Sequence, residues 1–228
     1  MKVSIQKFDF QSDKILSSLA PEEQQAFLDA AETLTFKKGK LIFYEGGIPT
    51  GVFLIKEGKA KIYKTGLDGK DQIFYIYKAG DLMGYHALLC NEHYEDSCEA
   101  LETCDILFVS KPDFDNLLLK ISKLQLLLIQ NMSHEFGVMV NTITVMAHKP
   151  LRERLALYLL VLQERYRSEQ TEIILPREDL ANIVGTARES LGRLLKEFKE
   201  DGLIEVDGRA ITIKQPAKLQ KVASSEYS

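Results

Sequence analysis

Residues 183–196 read Ile183-Val184-Gly185-Thr186-Ala187-Arg188-Glu189-Ser190-Leu191-Gly192-Arg193-Leu194-Leu195-Lys196. Leu191, Leu194, Leu195 and, just beyond, Phe198 fall at i, i+3, i+4 and i+7, the spacing that lines one face of an α-helix. Arg188, Glu189, Gly192, Arg193 and Lys196 occupy the opposite face. Thr186 followed three residues later by Glu189 fits a capping box, so the helix is predicted to open there. Upstream, Glu178 to Val184 predicts a shorter helix with apolar Leu180, Ile183 and Val184, and small Ala181 lets the two helices approach. Gly185 between them supplies the positive φ that a tight turn needs. Downstream, Leu203–Val206, Asp207-Gly208 and Ala210–Ile213 predict a β-hairpin. Two helices, a glycine turn and a hairpin over residues 176–213 predict a winged helix-turn-helix.

The charged face has a chemistry to match. Arginine can donate two bonds to guanine, and a carboxylate can accept from the cytosine amino group, each good pair contributing ~1–3 kcal/mol of discrimination. Gly192 inside the helix costs ~1 kcal/mol relative to alanine, which suits close approach by another backbone such as DNA. The plainer alternative is that Glu189 and Arg193 form an i, i+4 surface pair worth ~0.3 kcal/mol. The hairpin directly after the helix favours DNA reading.

Working outward, Lys149-Pro150 breaks the chain, because the residue before proline avoids helical backbone. Arg152 to Tyr166 follows as an amphipathic helix with Leu151, Leu155, Tyr158, Leu159 and Leu162 on one face. Before the break, the pattern is helical from Pro112 onward. Ile129, Met132, Phe136, Met139, Ile143 and Met146 recur at alternating spacings of three and four, a heptad seam that calls for a helix partner. From Thr33 to Ser110 the texture is β: Lys40–Tyr44, Val52–Ile55, Lys59–Tyr63, Gln72–Tyr77 and Ile106–Val109, punctuated by glycine and by the hairpin signal Asp68-Gly69. Pro21-Glu22-Glu23 opens a helix near the start.

The whole chain sets bounds on function. Its 228 residues suit one large domain or two small ones. A net charge of -4 gives no global attraction to nucleic acid, but basic groups concentrated on one face suffice. Met1-Lys2-Val3-Ser4-Ile5-Gln6 has no signal-peptide core. The most apolar run, Leu117–Ile129, is interrupted by Lys120, Ser122, Lys123 and Gln125, so no membrane span is predicted. Three cysteines, an odd number, argue against a disulfide framework, and a cytoplasmic location is expected. No Gly-rich phosphate loop, nucleophile elbow or paired-carboxylate motif points to an enzyme. His134 and His148 are read as surface or interface residues.

These residues resemble the Crp/Fnr (catabolite activator) family of bacterial transcription regulators along nearly the full chain. The run 183–196 is similar to the catabolite activator's recognition helix. Lys38-Gly39, Ile42-Phe43, Glu45-Gly46, Phe53-Leu54-Ile55, Gly58, Lys61-Ile62-Tyr63, Asp68-Gly69-Lys70 and Gly80-Asp81 match the turn positions of the family's cyclic-nucleotide-binding β-roll. The resemblance implies an α+β fold in three parts: an effector β-roll with flanking helices over 1–112, a long dimerisation helix over 113–148, and a winged helix-turn-helix over 149–228. It implies a homodimer on double-stranded DNA, at a pseudo-palindromic site with TGTGA-like half-sites about one helical turn apart. Arg188, Glu189 and Arg193 would read bases, Arg177 would hold phosphate, and Thr186, Ser190 and Lys196 would lie at the same surface. Most members recruit RNA polymerase, and some repress.

At the effector site the sequence departs from the family pattern. A Gly-Glu pair and then an Arg-Ser or Arg-Thr pair are needed, the glutamate for the ribose and the arginine for the cyclic phosphate. Here the pairs are Gly84-Tyr85 and Asp96-Ser97, and the adenine-contacting positions of the long helix align with Met139 and Val140. An aspartate where phosphate should sit would repel it, so cyclic AMP is not expected to bind. Three alternatives stay open for the expected pocket of Gly84, Tyr85, His86, Asp96, Ser97, Met139 and Val140. One is a haem- or metal-dependent gas or redox sensor through His86, Cys90 and His93, with Cys98 and Cys104 nearby. Against it, no cysteine precedes Cys90, so the oxygen-sensing branch's N-terminal cluster is missing, and no cofactor is expected. Another is an unknown apolar small-molecule effector lined by Tyr85, Phe136, Met139 and Val140. The last is a filled site without effector. A sensory module lacking specific DNA reading is the remaining rival for the chain as a whole.

Overall fold

The computed structural model describes residues 4–166 and 172–224. The chain divides into two compact units, Phe10–His134 and Met1–Asp9 with Glu135–Ser228.

The first unit opens with helices α1 (Asp13–Ser17) and α2 (Pro21–Asp29). Proline and two glutamates begin α2, and the Glu23 carboxylate accepts the Ala20 N–H at 2.9 Å, which satisfies an end donor. Eight strands follow: β1 (Glu32–Phe36), β2 (Leu41–Phe43), β3 (Gly51–Glu57), β4 (Ala60–Thr65), β5 (Asp71–Tyr77), β6 (Leu82–Met83), β7 (Ser97–Ala100) and β8 (Cys104–Ser110). They form two four-stranded antiparallel sheets, ordered β1-β8-β3-β6 and β2-β7-β4-β5. The short helix α3 (Tyr85–Cys90) lies between β6 and β7 in sequence. Asp68-Gly69 does sit at the β4–β5 hairpin.

Helix α4 (Lys111–Lys120) is capped by Ser110, whose hydroxyl accepts from the Asp113 N–H. It ends at Ile121, which leaves helical backbone, and α5 (Ser122–His148) starts afresh. The helical stretch read as one element from residue 113 is therefore two helices. Ile121 turns into the core with Leu117, Leu124 and Leu128, and that burial compensates for the broken ladder. This core also takes Ile15, Leu16 and Phe27 from α1 and α2 and Val52, Leu54 and Val109 from the sheet.

Helix α5 runs ~40 Å and belongs to both units. Leu124, Leu128, Asn131, Val138 and Val145 are buried along one side. Ile129, Met132, Phe136, Val140 and Ile143 are exposed along another, Phe136 by 72%.

In the second unit, α6 (Leu151–Tyr166) is the central helix. It was expected to be amphipathic, but Leu155 to Leu160 are buried without interruption. Elements cover several of its sides: a single 3-10 turn at Ile5–Phe8, α7 (Arg177–Val184) and α9 (Pro216–Ala223). The remaining elements are β9 (Ile173–Ile174), α8 (Arg188–Glu200), β10 (Ile204–Asp207) and β11 (Ala210–Ile213), the strands forming a sheet in the order β10-β11-β9. Arg165, only 6% exposed, bonds the Asp9 carboxylate at 3.0 Å and fixes the N-terminal segment to α6.

Candidate nucleic-acid interface

Helices α7 and α8 are joined by a turn at Gly185, whose φ of 70° is left-handed and open to glycine at no steric cost. The Thr186 N–H bonds back to Ala181 O at 3.0 Å, so Thr186 closes α7. Arg154 of α6 braces this turn: its guanidinium donates to Gly185 O at 3.2 Å and to Met146 O, near the end of α5, at 3.0 Å. A second arginine of α6 fixes α8. The Arg152 guanidinium lies over the Phe198 ring at 4.9 Å and pairs with Glu197 and, at 2.8 Å, with Asp201.

Helix α8 therefore has one face committed to the core, through Leu191, Leu195 and Phe198. Leu194 is only half-buried, at the edge of the stripe it was expected to complete. The other face is open. Arg188, Glu189, Gly192, Arg193 and Lys196 are exposed and Ser190 is half-buried. The Arg193 guanidinium donates to Ser190 Oγ at 3.2 Å, and Lys196 lies 3.8 Å from Glu200. Among the described residues, Glu189 makes no ion pair with Arg193, and Arg188 has no side-chain partner. A Cβ placed on Gly192 would meet nothing within 4 Å, so no group among the described residues accounts for the glycine.

The capping box is corrected. Ala187, with extended backbone, precedes the first helical residue, Arg188, and no side chain caps the end. Because Thr186 is engaged with α7, α8 begins one residue later than expected. Glu189 then falls at the second helical position, where its charge still favours the positive end of the helix dipole.

The wing, β10–β11, folds against this pair. Arg177, half-buried at the start of α7, donates to Gly208 O at 2.8 Å and Arg209 O at 3.2 Å. Burial pulls its pKa below the ordinary arginine value.

In the β-roll unit the expected effector residues part company. Gly84, in left-handed backbone, precedes α3. Tyr85 does not face a pocket: it is 2% exposed, packed in the core beside Leu88, Leu82 and Leu124, and its hydroxyl accepts from Asn131 Nδ2 of α5 at 2.8 Å. A phenol on the first turn of α3 reaches this core because α3 packs on β3. His86 turns to Asp96, Nε2 to Oδ1 at 3.4 Å. Ser97 Oγ accepts the Glu45 N–H at 3.0 Å. Around the His86–Asp96 pair, Phe43 and Tyr94 stack at 4.2 Å, with His86 edge-on to both. The Tyr94 hydroxyl is buried and has no partner among the described residues. Burial, with the nearby Asp96 charge, raises its pKa. Phe43 and Tyr94 were missed as site residues, though both are aromatic and each lies within a few residues of a position singled out above.

His86, Cys90 and His93 are not brought together as a metal site. Cys90 Sγ lies against Ala87 O and Glu92, and no group of three or more potential ligands converges among the described residues. Cys98 and Cys104 are buried and their thiol pKa values are pushed up, mainly by desolvation. Met139 and Val140 lie on the part of α5 that belongs to the other unit. Along the seam, Met139 and Met146 are half-buried, and Val140 is exposed instead.

Comparison with known proteins bears directly on this arrangement. A family model described as a cyclic nucleotide-binding domain matches residues 33–120, and one described as a Crp-like helix-turn-helix domain matches residues 153–222. The anaerobic regulatory protein of Aggregatibacter actinomycetemcomitans is 28% identical over 194 residues, covering 83% of this chain and 75% of that one. The cyclic AMP receptor protein of Thermus thermophilus is 24% identical over 209 residues, covering 92% and 96%. The chain belongs to the Crp/Fnr family. A solved structure, a putative Crp/Fnr-family regulator from Eubacterium rectale, shares the fold with a TM-score of 0.73 at 22% identity, over 92% of this chain and 97% of that one. As a Crp/Fnr protein the chain is a DNA-binding transcription regulator, with the fold class expected from its sequence. No helix among its described residues is long and apolar enough to cross a membrane.

Proposed function

We propose that this Crp/Fnr regulator binds double-stranded DNA as a homodimer at a pseudo-palindrome with TGTGA-like half-sites, each subunit laying α8 in the major groove. The carrying observation is the first turn of α8. Arg188 and Glu189 are exposed there without side-chain partners among the described residues, while the helix's other face is locked into the core. Arg188, Glu189 and Arg193 read base edges, and Thr186, Ser190 and Lys196 lie at the backbone alongside. The exposed row Ile129, Met132, Phe136, Val140 and Ile143 on α5 supports pairing with the same helix of a second copy. Bound to its site in the cytoplasm, the dimer recruits RNA polymerase.

Fluorescence anisotropy with a TGTGA palindrome and a scrambled duplex tests this at fixed salt. The palindrome should bind ~10³-fold tighter or better. Equal affinities would remove direct base reading.

The input side differs. Asp96, paired with His86, stands where a cyclic phosphate needs a cation, and Tyr85 is spent on the core. Cyclic AMP is therefore not the effector. Titration calorimetry should give no binding heat, and a micromolar Kd would overturn this part alone.

A further inference from the structure

The wing ends in a two-residue loop. Asp207 pairs with Ala210 in the hairpin register, which leaves Gly208 and Arg209 at the tip, with a positive φ at Gly208. The carbonyls of such a loop lie outside the strand ladder and take their partners elsewhere. Here one side chain takes both, the Arg177 fork at 2.8 Å from Gly208 O and 3.2 Å from Arg209 O. Arg177 is the first residue of α7, so the fork ties the wing tip to the first helix of the helix-turn-helix. The neighbouring cations are engaged: Lys199 on Val206 O at 3.3 Å, and Lys214 on Glu205 at 2.7 Å. The Arg209 side chain is exposed at the tip, with no partner among the described residues.

We infer that Arg177 is a positioning residue that holds the wing, and that the phosphate contact it sets up is made by Arg209. This rests on the DNA-binding reading of α7 and α8. A guanidinium donating to two successive carbonyls fixes both peptide planes of the loop, and it has correspondingly fewer donors to give a phosphate. Lysine carries the same charge on a flexible stem as a single point, so it cannot hold two carbonyls in a planar fork. Phosphate contacts carry no sequence information, and each one released removes about one unit from the salt dependence of binding. Arg209 thus adds affinity to any duplex, and Arg177 sets whether that contact is made.

Five proteins test this: wild type, Arg177→Lys, Arg177→Ala, Arg209→Ala and the double variant Arg177→Ala/Arg209→Ala. Salt dependence is measured on a random-sequence duplex, and amide exchange at residues 207–211 on the free protein. Arg209→Ala should lower the salt slope by about one unit. Both Arg177 variants should lower it by a similar amount, and the double variant by no more. The wing amides should exchange faster in both Arg177 variants and stay unchanged in Arg209→Ala. A wild-type slope and unchanged wing exchange in Arg177→Lys, or additive slope losses in the double variant, would assign the phosphate to Arg177 itself and overturn the inference. An unchanged slope in Arg209→Ala would overturn the wing contact. Failure of base reading looks different: it appears as lost preference for the palindrome, which a random duplex and the free protein do not report.

Discussion

The α8 surface and the β-roll site use polar side chains in opposite ways. On α8, Arg188 and Glu189 are exposed and unpaired among the described residues, and the groups that hold the helix, Arg152 and Arg154, come from α6 behind it. In the β-roll, His86 is turned onto Asp96, Ser97 onto a backbone amide, and Tyr85 onto Asn131. A surface that reads another molecule keeps its hydrogen-bonding capacity unspent. Groups already bonded within the protein, as Tyr85 is to Asn131 and Ser97 to the Glu45 amide, must give up those contacts before they serve a newcomer.

The largest test of that contrast concerns the other open surface, the exposed row on α5. Phe136→Glu with Ile143→Glu places charges on it, and sedimentation should show monomers. With the linkage between half-sites lost, operator affinity should fall by ~10²–10⁴. A variant that still sediments as a dimer would place the dimer contact elsewhere. Next, Arg188→Ala should cost ~1–3 kcal/mol of discrimination at one base pair, about 5- to 150-fold in the affinity ratio. Competition binding with single-base operator variants locates the base pair. Loss spread evenly over all sequences would make Arg188 a backbone contact.

Smaller effects sharpen the closed side. Tyr85→Phe removes the hydroxyl that Asn131 donates to, and should lower stability by ~1 kcal/mol in denaturant melts, with no change in DNA preference. Smallest is the Glu205–Lys214 pair on the wing. The lysine holds the Glu205 carboxyl below its ordinary value of 4.5. A depressed carboxyl stabilises the fold above the ordinary value, and the contribution fades as pH falls through the folded value. Lys214→Met should return the Glu205 titration, followed by NMR, toward the ordinary value, while the melting temperature at neutral pH barely moves.

Much of this was legible in sequence because it is local. The 3.6-residue spacing of Leu191, Leu195 and Phe198, the glycine at 185 and the Lys149-Pro150 break each act within a few residues. Strands β2, β3, β4, β5 and β8 follow from glycine punctuation in the same way, whereas β1, β6 and β7 do not. What escaped depends on partners distant in the chain. The start of α8 shifted because Thr186 serves α7, a choice made by the Ala181 carbonyl and not by the Thr-x-x-Glu spacing. Helix α6 is enclosed and not one-faced, and its unbroken apolar run Leu155–Leu162 is the local signal for that. Tyr85 was assigned to a pocket by alignment, whereas the six-residue helix α3 carries it into the core. Strand β9, two residues long, is too short to announce itself, and helix α9 went unread although proline opens it.

The exposed row of α8 carries almost no structural duty. Leu191, Leu195 and Phe198 are bound to the fold, but among the described residues the Arg188 and Glu189 side chains make no hydrogen bond or ion pair, and a Cβ on Gly192 would meet nothing within 4 Å. If α8 reads bases as proposed, substitutions there would change which promoters are recognised at little cost to folding. Duplicated copies of such a gene can therefore diverge in their target genes by a handful of codon changes, with the scaffold inherited intact.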